Sequence, residues 1–310
     1  MLKLLIDTDI GNDIDDAVAL CLALASPEVE VLAVTTVFQD PVGRARIAKA
    51  LLKAAGRADI PVIAGEAAPL NNDAVYGRKI GNTRALHYGG QFSDTPIDGT
   101  DAVGFLIRTL ERAEQPIPVV TIGALTNLAK VLSLRPDLKD KIAKFSIMGG
   151  AYDRNYAEFN FACDPEAAEI VLRSGVDCDL IGTDVTFRCR MKEDEVARLA
   201  KSGTPVLNML GGMMERYGRH NVYLHDPLAL YNLVDPDVLT FQDREVAVET
   251  TGKLTRGVAV TLSDWNWGYP PNGKLHVAVD VKAEAFVGEC TRRLLSLEGA
   301  GIPCEIRRYG

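Results

Sequence analysis

The chain has no C-x-x-C pair: its six cysteines, Cys21, Cys163, Cys178, Cys189, Cys290 and Cys304, are scattered singly. That spacing excludes a zinc ribbon and a dithiol redox motif, and it points to buried free thiols in a reducing compartment. A long apolar run is also missing. No stretch reaches the ~18 residues of a membrane helix, and the opening MLKLLIDTD is too short for a signal peptide. The expectation is a cytoplasmic protein with no membrane partner. Positive charge is in deficit, with 34 Lys and Arg against 42 Asp and Glu and a net charge of -8. Such a surface repels phosphate backbones, so no nucleic-acid polymer is expected as a partner. A neutral small molecule remains compatible. Internal repeats, low-complexity tracts and Pro/Ser-rich linkers are absent too.

What is present is an ordinary globular composition, 47% hydrophobic and 25% charged over 310 residues. A chain of this size buries most of its apolar surface and needs no staples. Short apolar, strand-like runs at 2–6, 31–37, 61–64, 117–122, 145–148 and 178–181 alternate with helical stretches at 16–25, 42–55, 102–113, 126–132 and 165–173. This alternation predicts βαβ units: an α/β fold with an open, mostly parallel mixed sheet flanked by helices, Rossmann-like, in one domain over 1–310. Residues 191–234 read as mainly helical. Residues 246–281 read as strands around a loop, 263–274, that holds both tryptophans, and a final helix covers 283–297.

The most informative segment is Asp7-Thr8-Asp9-Ile10-Gly11-Asn12-Asp13-Ile14-Asp15-Asp16, with five carboxylates straight after a buried strand. Ligands of open α/β sheets bind beyond the carboxyl ends of strands. Crowded carboxylates repel one another and raise each other's pKa, and a bound cation relieves that repulsion. An all-oxygen donor set favours a hard ion, calcium or magnesium, over zinc. The plainer reading is a solvated loop capping the next helix. That accounts for one or two acids but not for Asp7 and Asp9 at a strand end. The spacing is not that of an EF-hand, because the closing Glu is missing.

Three other segments carry polar groups. His225, one of four histidines, precedes Asp226 and Pro227; the pair reads either as an acid with a ligand or as a helix cap followed by Pro at the first helical position. Asn155, Glu158 and Asn160 offer groups for sugar hydroxyls, whereas Asp164-Pro165-Glu166 reads as a helix start. Residues 123–127 form a strand-to-helix turn with carbonyls that could join a metal site.

Taken in order, these motifs resemble the inosine-uridine preferring nucleoside hydrolase family. The resemblance rests on Asp7-Thr8-Asp9 with Asp15-Asp16, Thr35-Thr36-Val37, Gly123 to Asn127, Met148-Gly149-Gly150 and Ala157 to Asn160. It continues through Asp164 to Ala168, Asp184-Val185-Thr186, His225-Asp226-Pro227 and Thr251 to Thr255. It implies a calcium-dependent ribonucleoside hydrolase, in a homo-oligomer (dimer or tetramer) acting on a small nucleoside substrate. By resemblance, calcium would be held by Asp9, Asp16, Asp226 and the carbonyl of Ile122, with Asp7 supporting the cluster. Asp15, Asp40, Met148, Asn155, Glu158 and Asn160 would hold the ribose. Asp9 would be the base and His225 the acid that protonates the leaving nucleobase, since an ordinary histidine titrates near neutral pH. His87, Trp265 and Trp267 would contact the base; the two tryptophans could equally pack their loop onto the body.

The sequence departs from the family pattern in places. Five residues separate Asp9 from Asp15, a longer loop than usual. Phe38-Gln39-Asp40 replaces the usual Gly-Asn, and Phe187 stands where the family often has His. Two other readings of the residues stay open. One is a haloacid-dehalogenase-type phosphatase, which also places D-x-D after a strand and uses the first Asp as nucleophile. The other is a calcium-dependent nucleoside- or ribose-binding protein without catalysis.

Overall fold

The computed structural model describes residues 1–71, 92–262 and 275–298. The chain begins β1 (Leu2–Thr8), α1 (Asp15–Leu24), β2 (Val29–Thr36), α2 (Pro41–Ala54), β3 (Val62–Ala64), α3 (Ala102–Arg112), β4 (Ile117–Ile122) and α4 (Thr126–Leu134). It continues β5 (Ile142–Met148), α5 (Phe159–Cys163), α6 (Pro165–Leu172), β6 (Cys178–Ile181), α7 (Thr183–Thr186), α8 (Glu193–Ala200) and α9 (Pro205–Tyr217). The last described elements are α10 (His225–Tyr231), β7 (Leu239–Asp243), β8 (Val246–Val248), β9 (Ala259–Thr261), β10 (Leu275–Val281) and α11 (Ala283–Ser296).

Eight strands form one sheet in the order β3-β2-β1-β4-β5-β6-β10-β7. All neighbours are parallel except β10 and β7. This is the expected open mixed sheet. A separate antiparallel pair, β8 and β9, lies outside it. Edge strand β7 and the short helix α5 had no clear periodic signal. β7 is half exposed with mixed residues, and α5 is a single turn.

Period-two alternation sorts the side chains of each central strand between two cores. Leu4, Ile6, Val120 and Ile122 pack with α1, α2, α9, α10 and α11 on one face. Leu5, Ile117, Val119 and Phe145 pack with α3, α4 and α6 on the other. Covering both faces is what an almost wholly parallel sheet requires. β1 runs two residues beyond its apolar stretch, because Asp7 and Thr8 keep their pairing with Thr35 and Thr36 of β2 and with Thr121 and Ile122 of β4. Backbone pairing does not depend on side-chain polarity, so the strand continues into the acidic motif. From β1 the chain winds outward to β2 and β3, and from β4 it winds the opposite way. The strand order therefore reverses between β1 and β4, where such sheets open a crevice at their carboxyl ends.

Candidate active site

A cavity of about 530 Å³ opens at that reversal. Its acidic part is built by β1, α1 and α10. Asp9 follows β1, Asp15 and Asp16 occupy the first turn of α1, and Asp226 the first turn of α10, which packs against α1. One ligand oxygen from each of Asp15, Asp16 and Asp226 can be chosen so that all lie within 4.8 Å of one another. These acids are not helix caps: the residue before α1 is Ile14, and neither helix has a side-chain cap. The Thr8 hydroxyl donates to Asp16 Oδ1. Ile122, the last residue of β4, and Met148, the last of β5, also line the cavity.

The four carboxylates are nearly inaccessible, Asp9 at 5%, Asp15 at 6%, Asp16 at 3% and Asp226 at 4%. Burial, and the charge of the others, raises the pKa of Asp15, Asp16 and Asp226. Burial likewise raises Asp9, and the Arg44 guanidinium 3.9 Å away opposes that rise. Among the described residues no Lys, Arg or His forms an ion pair with Asp15, Asp16 or Asp226. Several buried carboxylates without a cation of the protein's own suit a hard divalent ion.

Asp7 belongs to a different layer. Alternation turns it to the α4 face, where Thr35 Oγ1 and Asn127 Nδ2 (2.8 Å) both donate to Oδ1. Its Oδ2 is buried without a hydrogen-bond partner among the described residues, and burial pushes its pKa up to about 7. Asn127 also donates to the Thr36 carbonyl at 3.1 Å and accepts from the Glu66 amide at 3.0 Å. One amide thereby ties the ends of β1 and β2 to the chain after β3. Gly123 lets β4 end against this layer: a Cβ there would stand 2.8 Å from the Asp9 amide nitrogen.

Glu158 and Asn160 line the cavity, each with a second engagement. Glu158 caps α5, accepting from the amides of Asn160 (2.9 Å), Phe161 (3.2 Å) and Gly150 (2.9 Å). Burial pushes its pKa up to about 7 despite these bonds. Asn160 Nδ2 donates to the Met148 carbonyl at 3.0 Å.

Two residues expected at the ribose are not among those lining the cavity. Asp40 is exposed and caps α2, its carboxylate accepting from the Gly43 amide at 2.9 Å. The reason is the preceding turn: Phe38 (φ 73°) and Gln39 (φ 59°) both adopt left-handed backbone, which carries the chain away into α2. Two such non-glycine residues cost of order 1–3 kcal/mol each and persist only when their surroundings hold them. Here the Phe38 and Gln39 amides bond the carbonyls of Glu66 and Ala67, both at 2.7 Å. Asn155 is also exposed; its neighbour Tyr156 reaches the cavity instead. His87, Trp265 and Trp267 lie outside the described residues.

His225 reaches the cavity from the start of α10. Its Nδ1 shares a 2.6 Å hydrogen bond with Thr186 Oγ1. Its ring stacks on Tyr223 (5.5 Å between centroids, 25°) and meets the edge of Phe187 (5.0 Å, 85°). Burial lowers its pKa to about 4, so the ring is neutral at neutral pH. This corrects the sequence-based expectation of a histidine titrating near neutrality. The outer wall of the cavity is aromatic, with Tyr156, Phe159 and Phe187 36%, 40% and 44% exposed. Arg44, Asn127 and Thr186 were not expected as functional neighbours. Only the short motifs around Asn127 and Thr186 hinted at them.

Comparison with known proteins agrees with this architecture. The chain is 37% identical over 313 residues to a pyrimidine-specific ribonucleoside hydrolase RihA of Salmonella gallinarum, covering 94% of this chain and 98% of that one. Among solved structures it resembles a plant nucleoside hydrolase (TM-score 0.80, 30% identity, 94% and 98% of the two chains). It also resembles a purine-preferring ribonucleoside hydrolase from Gardnerella vaginalis (TM-score 0.81, 26% identity, 96% and 99%). The profile of the inosine-uridine preferring nucleoside hydrolases matches residues 4–288. With a matching fold, an acidic crevice at the strand reversal and a profile match along most of its length, the chain belongs to the inosine-uridine preferring nucleoside hydrolase family and is a nucleoside hydrolase.

Proposed function

We propose that the chain hydrolyses the N-glycosidic bond of ribonucleosides to free base and ribose, with calcium held by Asp9, Asp16, Asp226 and the Ile122 carbonyl. The observation that carries this reading is the meeting of Asp15, Asp16 and Asp226 within 4.8 Å, a group that shares Asp16 and Asp226 with the proposed ligands and has Asp15 in place of Asp9, inside a cavity that Asp9, Ile122, Glu158, Asn160 and an aromatic wall also line. Oxygen donors alone suit a hard cation, calcium or magnesium, and the family resemblance makes calcium the choice. When bound, the cation orients the ribose diol and lowers the pKa of a water. Asp9 lines the cavity beside the triad and takes the proton of the attacking water. Asp15, Glu158 and Asn160 hold the ribose hydroxyls, and Met148 closes the sugar side. The surrounding carboxylates stabilise the positive charge that develops on the ring in an oxocarbenium-like transition state.

Tyr156, Phe159 and Phe187 offer apolar faces to the nucleobase. His225 enters the reaction neutral. In the tautomer in which the Thr186 hydroxyl donates to Nδ1, the proton resides on Nε2, which offers a hydrogen bond that strengthens as negative charge builds on the leaving base. The proton stays on the ring, since its full transfer would leave an imidazolate, and water protonates the departed base. The phosphatase reading is disfavoured by Asp7. The first Asp of the motif is turned to the α4 face and is not among the cavity-lining residues, so it is not presented as a nucleophile.

The test is a panel of purine and pyrimidine ribonucleosides assayed for ribose release, with and without a chelator. The expected result is release that chelation abolishes and added calcium restores. Phosphate release from sugar phosphates without ribose release from nucleosides would favour the phosphatase. Nucleoside binding with no ribose release over hours would leave only a binding protein.

A further inference from the structure

Two departures from the family pattern, the long acidic loop after β1 and the Phe38-Gln39-Asp40 turn after β2, meet at one side chain. Arg44, on α2, is 2% exposed. Its Nε donates to the Phe38 carbonyl (2.8 Å), its Nη1 to the Ile10 carbonyl (3.2 Å) and its Nη2 to Asn12 Oδ1 (3.2 Å). Asn12 Nδ2 in turn donates to Asp9 Oδ2 at 3.3 Å, and the guanidinium stands 3.9 Å from that same oxygen. Every one of these contacts goes to one loop or the other. A buried guanidinium is tolerated only when its donors are used, and its planar fork spreads them over three nitrogens, reaching acceptors on two loops that the single nitrogen of a lysine would have to gather at one point.

We infer that Arg44 is a positioning residue for the reaction: it fastens the acidic loop to the Phe38-Gln39 turn and, through Asn12, sets the orientation of Asp9. The inference rests on the role proposed above for Asp9. Asn12 and Arg44 both stand on Asp9 Oδ2, so removing either takes away a contact that fixes the carboxylate's orientation. A nucleophile or base displaced by about 1 Å costs up to about 100-fold in rate.

The test uses Arg44→Lys, Arg44→Met, Asn12→Ala and the Arg44→Lys/Asn12→Ala double variant in the full chain. Asn12 is only half buried, so its variant folds even where Arg44→Met does not. Expected are losses of roughly 10- to 100-fold in kcat with smaller changes in KM. Calcium titrated by calorimetry is expected to bind roughly 10-fold more weakly. The double variant is expected to be no worse than the poorer single one, since both sever the same path. Lowered melting temperatures with wild-type kcat and calcium affinity would make Arg44 merely structural and overturn the inference. Losses that multiply in the double variant would overturn the route through Asn12. If Asp9→Ala abolishes turnover and weakens calcium while the Arg44 and Asn12 variants match wild type, only this inference fails. If Asp9→Ala itself matches wild type, the role of Asp9 fails and this inference with it.

Discussion

Stripping divalent cations should make this protein lose stability as pH rises through neutrality, the reverse of what paired surface carboxylates do. Glu158 and Asp7 are pushed up to about 7 by burial, and Asp16 and Asp226 are raised well above the ordinary carboxylate range by burial and by neighbouring acids. A carboxyl whose folded pKa lies above its unfolded one binds more protons when folded. Its stabilisation is complete below the unfolded pKa and is lost as pH climbs through the folded one. Between about pH 6.5 and about pH 8, Glu158 and Asp7 each give up about 1 kcal/mol at about 1.4 kcal/mol per pH unit. Asp15, pushed up to about 8 by burial and by the charges of Asp13 and Asp9, gives up about 1.5 kcal/mol over the same interval. Glu158, Asp7 and Asp15 together give up about 3.5 kcal/mol, and Asp16 and Asp226, raised in the same direction, add to it. His225 acts the other way, because its folded pKa of about 4 lies below the ordinary 6.5. In this window it offsets only about 0.5 kcal/mol. Net of that offset the loss is about 3 kcal/mol, and at roughly 2 °C per kcal/mol for a chain of this size the melting temperature in chelator falls by at least roughly 6 °C. Saturating calcium takes the place of protons on its own ligands, Asp16 and Asp226, and lessens the dependence, while Asp7 and Glu158, which are not ligands, keep their share of it. Differential scanning calorimetry in chelator and in calcium across the window reads this directly. A chelated melting temperature that is level or rises from about pH 6.5 to about pH 8 would refute the reasoning.

Three other outcomes are expected. His225→Ala should cost roughly 100-fold or more on natural nucleosides and little on p-nitrophenyl riboside, whose leaving group needs no proton; equal losses on both would remove the donor role. Gly123→Ala puts a methyl 2.8 Å from the Asp9 backbone nitrogen and 3.1 Å from Val37 Cγ1, so denaturant unfolding should report a loss of about 1–3 kcal/mol along with weakened turnover. A variant as stable and active as wild type would show that β4 does not brace Asp9. Phe187→Ala should raise nucleoside KM up to roughly 10-fold with kcat nearly unchanged, as expected for a ring that only stacks on the base; a fall in kcat alone would instead tie Phe187 to the orientation of His225.

Strand-helix alternation and the order of short motifs were enough to read a mostly parallel α/β sheet with an acidic site after its first strand. Both signals are local: apolar runs form buried strands, and Asp9, Asp15 and Asp16 share one loop and one helix turn. Asp226 was legible only through the family order of motifs, because nothing in its own neighbourhood separates a ligand from a helix cap. Tertiary structure decided what depends on distant partners. The register of β1 against β2 and β4 turned Asp7 to the α4 face, away from the cavity. Two left-handed residues sent Asp40 to cap α2. Enclosure by Tyr223, Phe187 and Thr186 made His225 neutral, since a pKa depends on surroundings that no motif contains. Arg44 on a helix rich in Lys and Arg reads as a surface charge. Only the packing of α2 against β2, β3, α1 and α9 buries it and brings its guanidinium to the acidic loop.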